Sequence, residues 1–81
     1  MDAPLDGRAW IREALAGWPN HLSADGQAFL GVLPYRVRRA VELVYGQELR
    51  VEHAASVMRV SERTVRGYLR RAHLQAAHRH C

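Results

Sequence analysis

Arginine residues are concentrated in one short stretch of this 81-residue chain, between positions 59 and 71. The stretch holds Arg59, Arg63, Arg66, Arg70 and Arg71. A guanidinium group is a planar fork of N–H donors that binds phosphate oxygens and guanine edges through paired hydrogen bonds, which a lysine ammonium does not do. This residue type at this density predicts a surface that contacts nucleic acid.

Charge is divided unevenly along the chain, whose formal net charge is +4. Residues 1–35 contain two arginines and four acidic residues, whereas the remainder contains ten arginines and four glutamates. All twelve basic residues are arginine, and a genome rich in G and C would explain that choice as well as a functional need would. This division of charge predicts that the basic half forms a surface for nucleic acid and that the acidic half forms a separate surface for something else.

Catalysis and metal binding have no support in the residue pattern. The five histidines are scattered, and no set of acid, base and nucleophile accompanies them. A domain of this size buries roughly 60% of its unfolded surface, which provides few walls for a substrate pocket. His78, His80 and Cys81 are too tightly spaced at the terminus for a structural zinc site. We therefore expect no enzyme, no cofactor and no metal, with residues 78–81 as a tail.

Targeting signals are equally lacking. No apolar run approaches the roughly 18 residues that span a bilayer, and residues 1–6 carry two aspartates and no basic residue, unlike a secretory signal. One cysteine excludes an internal disulfide and fits a reducing compartment. The expected location is the cytoplasm, with no membrane partner.

The elements that must position the arginines are all helical. Apolar residues recur at spacings of three and four, and no strand-like alternation occurs. The predicted helices cover residues 7–17, 24–30, 34–45, 51–58 and 62–76. Ser23 is the predicted N-cap of the second helix, and Pro34 is predicted at the first helical position of the third. Gly46 is expected to end the third helix. The fold class is therefore all-α, with four to five helices in a small domain.

The last two helices and the segment between them, about residues 50–73, follow the helix-turn-helix plan. The small residues Ala54 and Ala55 allow a close helix crossing, and Arg59-Val60-Ser61 is short enough for a tight turn. Ser61 is a strong N-cap for the second helix. The inner stripe of that helix is Val65, Tyr68 or Leu69, and Ala72, which leaves its arginines outside.

Residues 33–77 resemble region 4 of bacterial sigma factors, especially the extracytoplasmic-function group. The resemblance rests on Leu33-Pro34, Arg38 or Arg39, Val41 to Tyr45, Gly46, Ala54-Ala55, Val60-Ser61, Thr64-Val65 and Arg71-Ala72. The LuxR-type response-regulator domain has a related pattern at Ser61 to Val65, and the Leu-Pro and Arg-Ala pairs favour the sigma family over it.

The resemblance implies that the second helix of the motif reads a −35 element in the major groove. Arg63, Arg66 and Arg70 would then contact base edges, and Glu62 would accept from a cytosine amine. Contacts with phosphate would come from four residues: Arg59, Ser61, Thr64 and Arg71. Gly67 would either permit a close approach to the DNA backbone or reflect neutral drift, and both interpretations stand.

This chain departs from the family pattern in three ways. His53-Ala54-Ala55 replaces Glu-Ile-Ala, and Arg59 stands in the turn where glycine is usual. Arg59 is therefore expected to adopt a left-handed conformation at about 1 kcal/mol. The chain also has no room for the region that binds the −10 element, so a complete chain of this length would not act as a working sigma factor.

The sequence thus divides into residues 1–32 for packing or oligomerisation, 33–77 for DNA binding, and the tail. Four residues of the first part are candidates for core packing, for a homodimer interface or for RNA polymerase contact: Trp10, Ile11, Leu15 and Trp18.

The favoured function is a bacterial or phage transcription regulator that binds double-stranded DNA as a homodimer. One alternative is a region 4 mimic that engages RNA polymerase or an anti-sigma factor. Another is an RNA-binding protein, for which Tyr68 is the one obvious stacking residue in the basic half.

Overall fold

A computed structural model describes residues 7–79, which form five α-helices and contain no strand. The helices are α1 (Gly7–Ala14), α2 (Ala24–Val32), α3 (Tyr35–Val41), α4 (Val51–Met58) and α5 (Glu62–Arg79). A π-helical turn, Glu42–Gly46, continues α3. The all-α prediction is confirmed.

Local side-chain chemistry accounts for the start of α2. Ser23 has an extended backbone, and its Oγ accepts a hydrogen bond from the Gly26 N–H at 3.0 Å. This bond satisfies one of the amide donors that a helix start leaves without a partner. The predicted N-cap at Ser23 is therefore confirmed.

Two helix ends differ from the sequence prediction. α1 ends at Ala14 rather than at Gly17, and the turns that follow it lead to an isolated backbone bridge between Gly17 and His21. α5 continues to Arg79, beyond the predicted end at Ala76. Helix ends fray over a residue or two, so periodicity alone defines them poorly.

The third predicted helix is not one regular α-helix. Pro34 occupies the N-cap position rather than the first helical position, and α3 begins at Tyr35. From Glu42 the backbone widens into the π-helical turn, where the Gln47 N–H donates to the Glu42 carbonyl at 2.9 Å. The helix ends at Gly46 as expected, but the left-handed residue that follows is Glu48, with φ 60°. Gly46 itself has no positive φ.

One face of α5 forms the centre of the hydrophobic core. Val65, Leu69, Ala72 and Ala76 are buried on that face, and α5 packs against α1, α3 and α4. Tyr68 is only half-buried, so Leu69 is the inward residue of the two that the sequence left open. Burying a side chain such as Val65 contributes roughly 1.5–3 kcal/mol, so this face supplies much of the stability of a small domain.

The N-terminal helices share the same core. Ile11 of α1, Leu15 in the turn that follows α1, and Phe29 of α2 are fully buried. The Trp10 and Phe29 rings meet edge to face with their centroids 5.1 Å apart. Gly7 lies so close to the backbone of His73 that a Cβ at position 7 would collide with the His73 carbonyl. α1 therefore packs against the back of α5, and α2 packs against α1.

Gly46 has a packing role rather than a conformational one. A Cβ built at Gly46 would lie 2.8 Å from both Cδ2 and Cε3 of the Trp18 indole, closer than normal van der Waals contact. The indole is rigid, so it would have to move as a unit. Glycine at this position lets the tryptophan lie flat against the end of the π-helical turn.

Replacing Gly46 by alanine should lower the free energy of unfolding by about 1–3 kcal/mol, the usual cost of overpacking. Urea unfolding would measure the change. Gly31→Ala is the matched control, because a Cβ at that exposed glycine meets nothing within 4 Å. Equal stability of the Gly46→Ala and Gly31→Ala variants would contradict the packing role.

Candidate DNA-binding surface

The helix-turn-helix is present at the predicted residues. α4 and α5 are joined by the three-residue turn Arg59-Val60-Ser61. Ala54 and Ala55, on the inner side of α4, are 0% and 4% exposed. Val60 is half-buried against the core, and its N–H donates to the Ala55 carbonyl at 3.0 Å. Small side chains in α4 and the apolar corner at Val60 thus bring the two helices together.

Arg59 ends α4 in the left-handed conformation, with φ 60° and ψ 45°. Arg59 stands where the family usually has glycine, and the left-handed conformation expected for it is confirmed. Its backbone N–H donates to the carbonyls of Ala55 and Ser56, which caps the helix. A non-glycine residue pays roughly 1 kcal/mol for this conformation. The guanidinium group is exposed beside the start of α5.

Ser61 caps the N-terminus of α5, as the sequence predicts. Its Oγ accepts from the Thr64 N–H at 3.1 Å and lies 3.0 Å from the Thr64 Oγ1. The two hydroxyls are thus engaged with each other and with the helix start. A phosphate contact by either residue would have to use the hydroxyl hydrogen that this pair leaves available.

The outer face of α5 is polar and exposed. It carries Glu62, Arg63, Arg66, Gly67, Arg70 and Arg71, all of which are exposed. Arg63, Gly67 and Arg70 are spaced four and three residues apart, so they form one stripe along the helix. We call these three residues the outer stripe. The outer stripe lies opposite the buried Val65, Leu69 and Ala72.

Arg66 and Glu62 are paired with each other beside the outer stripe. The Arg66 Nη2 lies 3.2 Å from the Glu62 Oε1, and the two side chains are 61% and 48% exposed. An exposed pair of this kind contributes little to stability. The pair engages one nitrogen of Arg66 and one oxygen of Glu62 and leaves their other donors and acceptors available.

The four residues predicted to contact a partner are not equivalent. Ile11 and Leu15 are 0% and 1% exposed, so they pack inside the chain and have no surface to offer. Trp10 and Trp18 are half-buried. Partner contact through these two tryptophans stays a prediction.

Sequence reasoning missed one feature that connects α5 to the rest of the fold. The Tyr45 hydroxyl lies 2.7 Å from the His73 Nε2, although the two residues are 28 positions apart. In the sequence, Tyr45 is the last residue of the predicted third helix, and His73 is one of five scattered histidines. No local pattern relates two such residues, so only the folded structure reveals the contact.

The family comparison agrees with this geometry. The family model described as "Sigma-70, region 4" matches residues 27–74. The chain belongs to the sigma-70 region 4 family. No curated protein and no solved structure gives a significant match.

The match to this region 4 domain begins six residues before the start of the sequence resemblance, at residue 27 rather than at residue 33. The match begins inside α2, before Leu33-Pro34, and ends within α5. Membership assigns the chain to a family of helix-turn-helix domains of transcription, whose function is DNA binding or is related to RNA polymerase. The LuxR-type resemblance stays a prediction from the sequence.

Other kinds of site can be described only for residues 7–79. Within them, no three His, Cys, Asp or Glu side chains come together as ligands for a metal ion. His80 and Cys81, which belong to the predicted tail, lie outside the described residues. None of the helices that the structure describes has the length and apolar character required to cross a bilayer.

The left-handed conformation of Arg59 can be tested by substitution. Arg59→Gly should raise the free energy of unfolding by about 0.5–1 kcal/mol, because glycine adopts a positive φ without steric cost. Arg63→Gly, which removes an exposed arginine from a right-handed helix, should lower it by about 1 kcal/mol. Chemical denaturation of both variants measures the difference. A loss of stability in Arg59→Gly would contradict a left-handed cap at this position.

Proposed function

We propose that this region 4 domain is a sequence-specific DNA-binding regulator of transcription that inserts α5 into the major groove. The outer stripe carries the proposal, since it presents two arginines on the side of α5 that the core leaves exposed. Arginine recognises guanine O6 and N7 through two hydrogen bonds, and each good pair is worth roughly 1–3 kcal/mol of discrimination. A helix of this diameter fits the major groove.

The surrounding residues suit contacts with the DNA backbone. Three of them lie in the turn and the first turn of α5, and the fourth lies further along α5 beside Arg70: Arg59, Ser61, Thr64 and Arg71. The basic half of the chain has ten arginines against four glutamates, which favours the approach of a polyanion. Phosphate contacts position the protein, and the outer stripe then reads the sequence.

We infer a homodimer in the cytoplasm of a bacterium or in a phage-infected cell. Helix-turn-helix proteins often pair to read two half-sites, and a small domain gains buried surface from a partner. Trp10 and Trp18 retain exposed surface on the N-terminal side of the fold. Aromatic side chains of this kind favour the centres of protein interfaces.

A contact with RNA polymerase or an anti-sigma factor is the second candidate function. Tyr35 and Val57 are 66% and 47% exposed, and with Arg36, Arg39 and Met58 they line a shallow groove of about 240 Å³. Exposed apolar side chains beside arginines fit a protein partner with apolar and acidic groups. A protein that acts only in this way would keep its function after loss of Arg63, Arg66 and Arg70.

Selection of binders from a randomised duplex library at near-physiological salt tests the proposed function, because phosphate contacts alone do not select a sequence. We expect a recovered motif, with a two-fold repeat if the protein is a dimer. Arg63→Ala and Arg70→Ala should each weaken binding to that motif by roughly 5- to 150-fold. Arg36→Ala, which removes an exposed arginine from α3, is the matched control. Recovery of no motif, with binding lost as salt rises, would reject base reading and favour the protein partner.

Gly67 provides an independent test, because the fold has no need of glycine there. A Cβ at Gly67 meets nothing within 4 Å, and the residue lies between the two arginines of the outer stripe. Gly67→Ala should raise the free energy of unfolding by about 0.5–1 kcal/mol and weaken DNA binding by about tenfold, since the methyl group would meet the DNA. Unfolding and fluorescence anisotropy measure the two effects.

Gly31→Ala is the control for that variant. Gly31 is also an exposed helical glycine with open space around it, but it belongs to α2. This variant should change stability in the same direction and leave DNA affinity unchanged. If Gly67→Ala binds DNA as tightly as the unmodified protein, the close approach at Gly67 is wrong.

A further inference from the structure

A second surface feature lies apart from the outer stripe. A cleft of about 660 Å³ is bounded by α1, the π-helical turn and α5. Arg8, Arg12, Val44, Tyr45, Leu69 and His73 are among its lining residues. The volume falls within the usual range for small-molecule sites, which combine apolar walls with a few convergent polar groups.

Arg12 places a guanidinium group at this cleft. Its guanidinium carbon lies 6.0 Å from the centre of the Tyr45 ring, within reach of a cation–π contact. Among residues 7–79, no carboxylate forms an ion pair with Arg12. A cation that lies over an aromatic ring and is not paired with a carboxylate of the described residues is suited to receive an anion.

The opposite wall is held in place by the contact between Tyr45 and His73. Besides the 2.7 Å hydrogen bond, the two rings meet edge to face with centroids 5.9 Å apart. Val44 and Val51, both half-buried, extend this wall with apolar surface. The cleft therefore combines the Arg12 guanidinium group with an aromatic and aliphatic wall.

We propose that this cleft binds a small organic acid. The carboxylate of the ligand pairs with the Arg12 fork, and its apolar body lies against Tyr45 and Val44. Glu48, which also lines the cleft, repels a dianion more strongly than a monoanion. The site thus prefers a monoanion with an apolar part over inorganic phosphate.

This inference does not depend on DNA binding. α1 precedes residue 27, so Arg12 lies outside the part of the chain that the family model matches. The other wall includes Leu69 and His73, which belong to α5. A ligand in the cleft therefore contacts the helix that carries the outer stripe, on a different side of that helix.

The test is a titration of the full, isotope-labelled chain, followed by NMR at constant ionic strength. Benzoate and hexanoate are the probes, and inorganic phosphate is the comparison anion. We expect saturable shifts at residues 12, 45 and 73 with a Kd of about 1 mM or tighter, as ligands of this size achieve. A saturating probe should also raise Tm.

Arg12→Gln should weaken binding of the probes at least about tenfold, the effect of losing one charge-assisted hydrogen bond. Arg36→Gln removes the same charge from α3 and should leave binding unchanged. Arg12→Lys keeps the charge but loses the fork, so it should also bind more weakly, even if Arg12→Gln does not fold.

Three results would overturn the inference. The first is that neither organic acid saturates the shifts, and the second is that phosphate binds as tightly as benzoate. Equal weakening by Arg36→Gln and Arg12→Gln would mean that the probes respond only to overall positive charge.

Discussion

Burial of one face of α5 is the constraint on which the rest of the structure depends. Val65, Leu69, Ala72 and Ala76 are all buried, and the helices that cover them come from both the N-terminal part and the middle of the chain. A helix has a period of 3.6 residues, so the covered face determines which residues point outward. The core therefore orients Arg63, Gly67 and Arg70 toward solvent without any direct contact to them.

Two positions in the helix-turn-helix are unfavourable by local rules. Arg59 adopts a left-handed conformation that glycine would adopt more easily, and Gly67 occupies a mid-helix position that alanine would stabilise. Neither choice improves packing, since Arg59 is exposed and the space beside Gly67 is open. Residues that oppose local preference without a packing benefit are often retained for function. Both lie on the side of the motif that we propose faces DNA.

The features that were predicted correctly from the sequence, the helix caps and the turn, depend on residues close together in the chain. Ser23 and Ser61 act as caps within three residues of their partners, and the turn at Arg59 follows from the short distance between two apolar patterns. The π-helical turn was missed, because hydrogen bonds from Gln47 to Glu42 and from Leu49 to Leu43 leave no signature in the apolar spacing. The Tyr45–His73 contact and the cleft beside it were missed for a related reason. They depend on how α1, the π-helical turn and α5 meet in space, which periodicity does not specify.

The N-terminal segment has a structural role that its charge concealed. Its acidic character suggested a surface for a second role, yet Ile11, Leu15 and Phe29 complete the same core as Val65. Gly7 packs against the backbone of His73, and Trp18 packs against Gly46. These contacts hold Gly7 and Trp18 against the back of the motif. The cleft lies at this junction, so a molecule bound there would contact both the N-terminal segment and α5 while leaving the outer stripe uncovered.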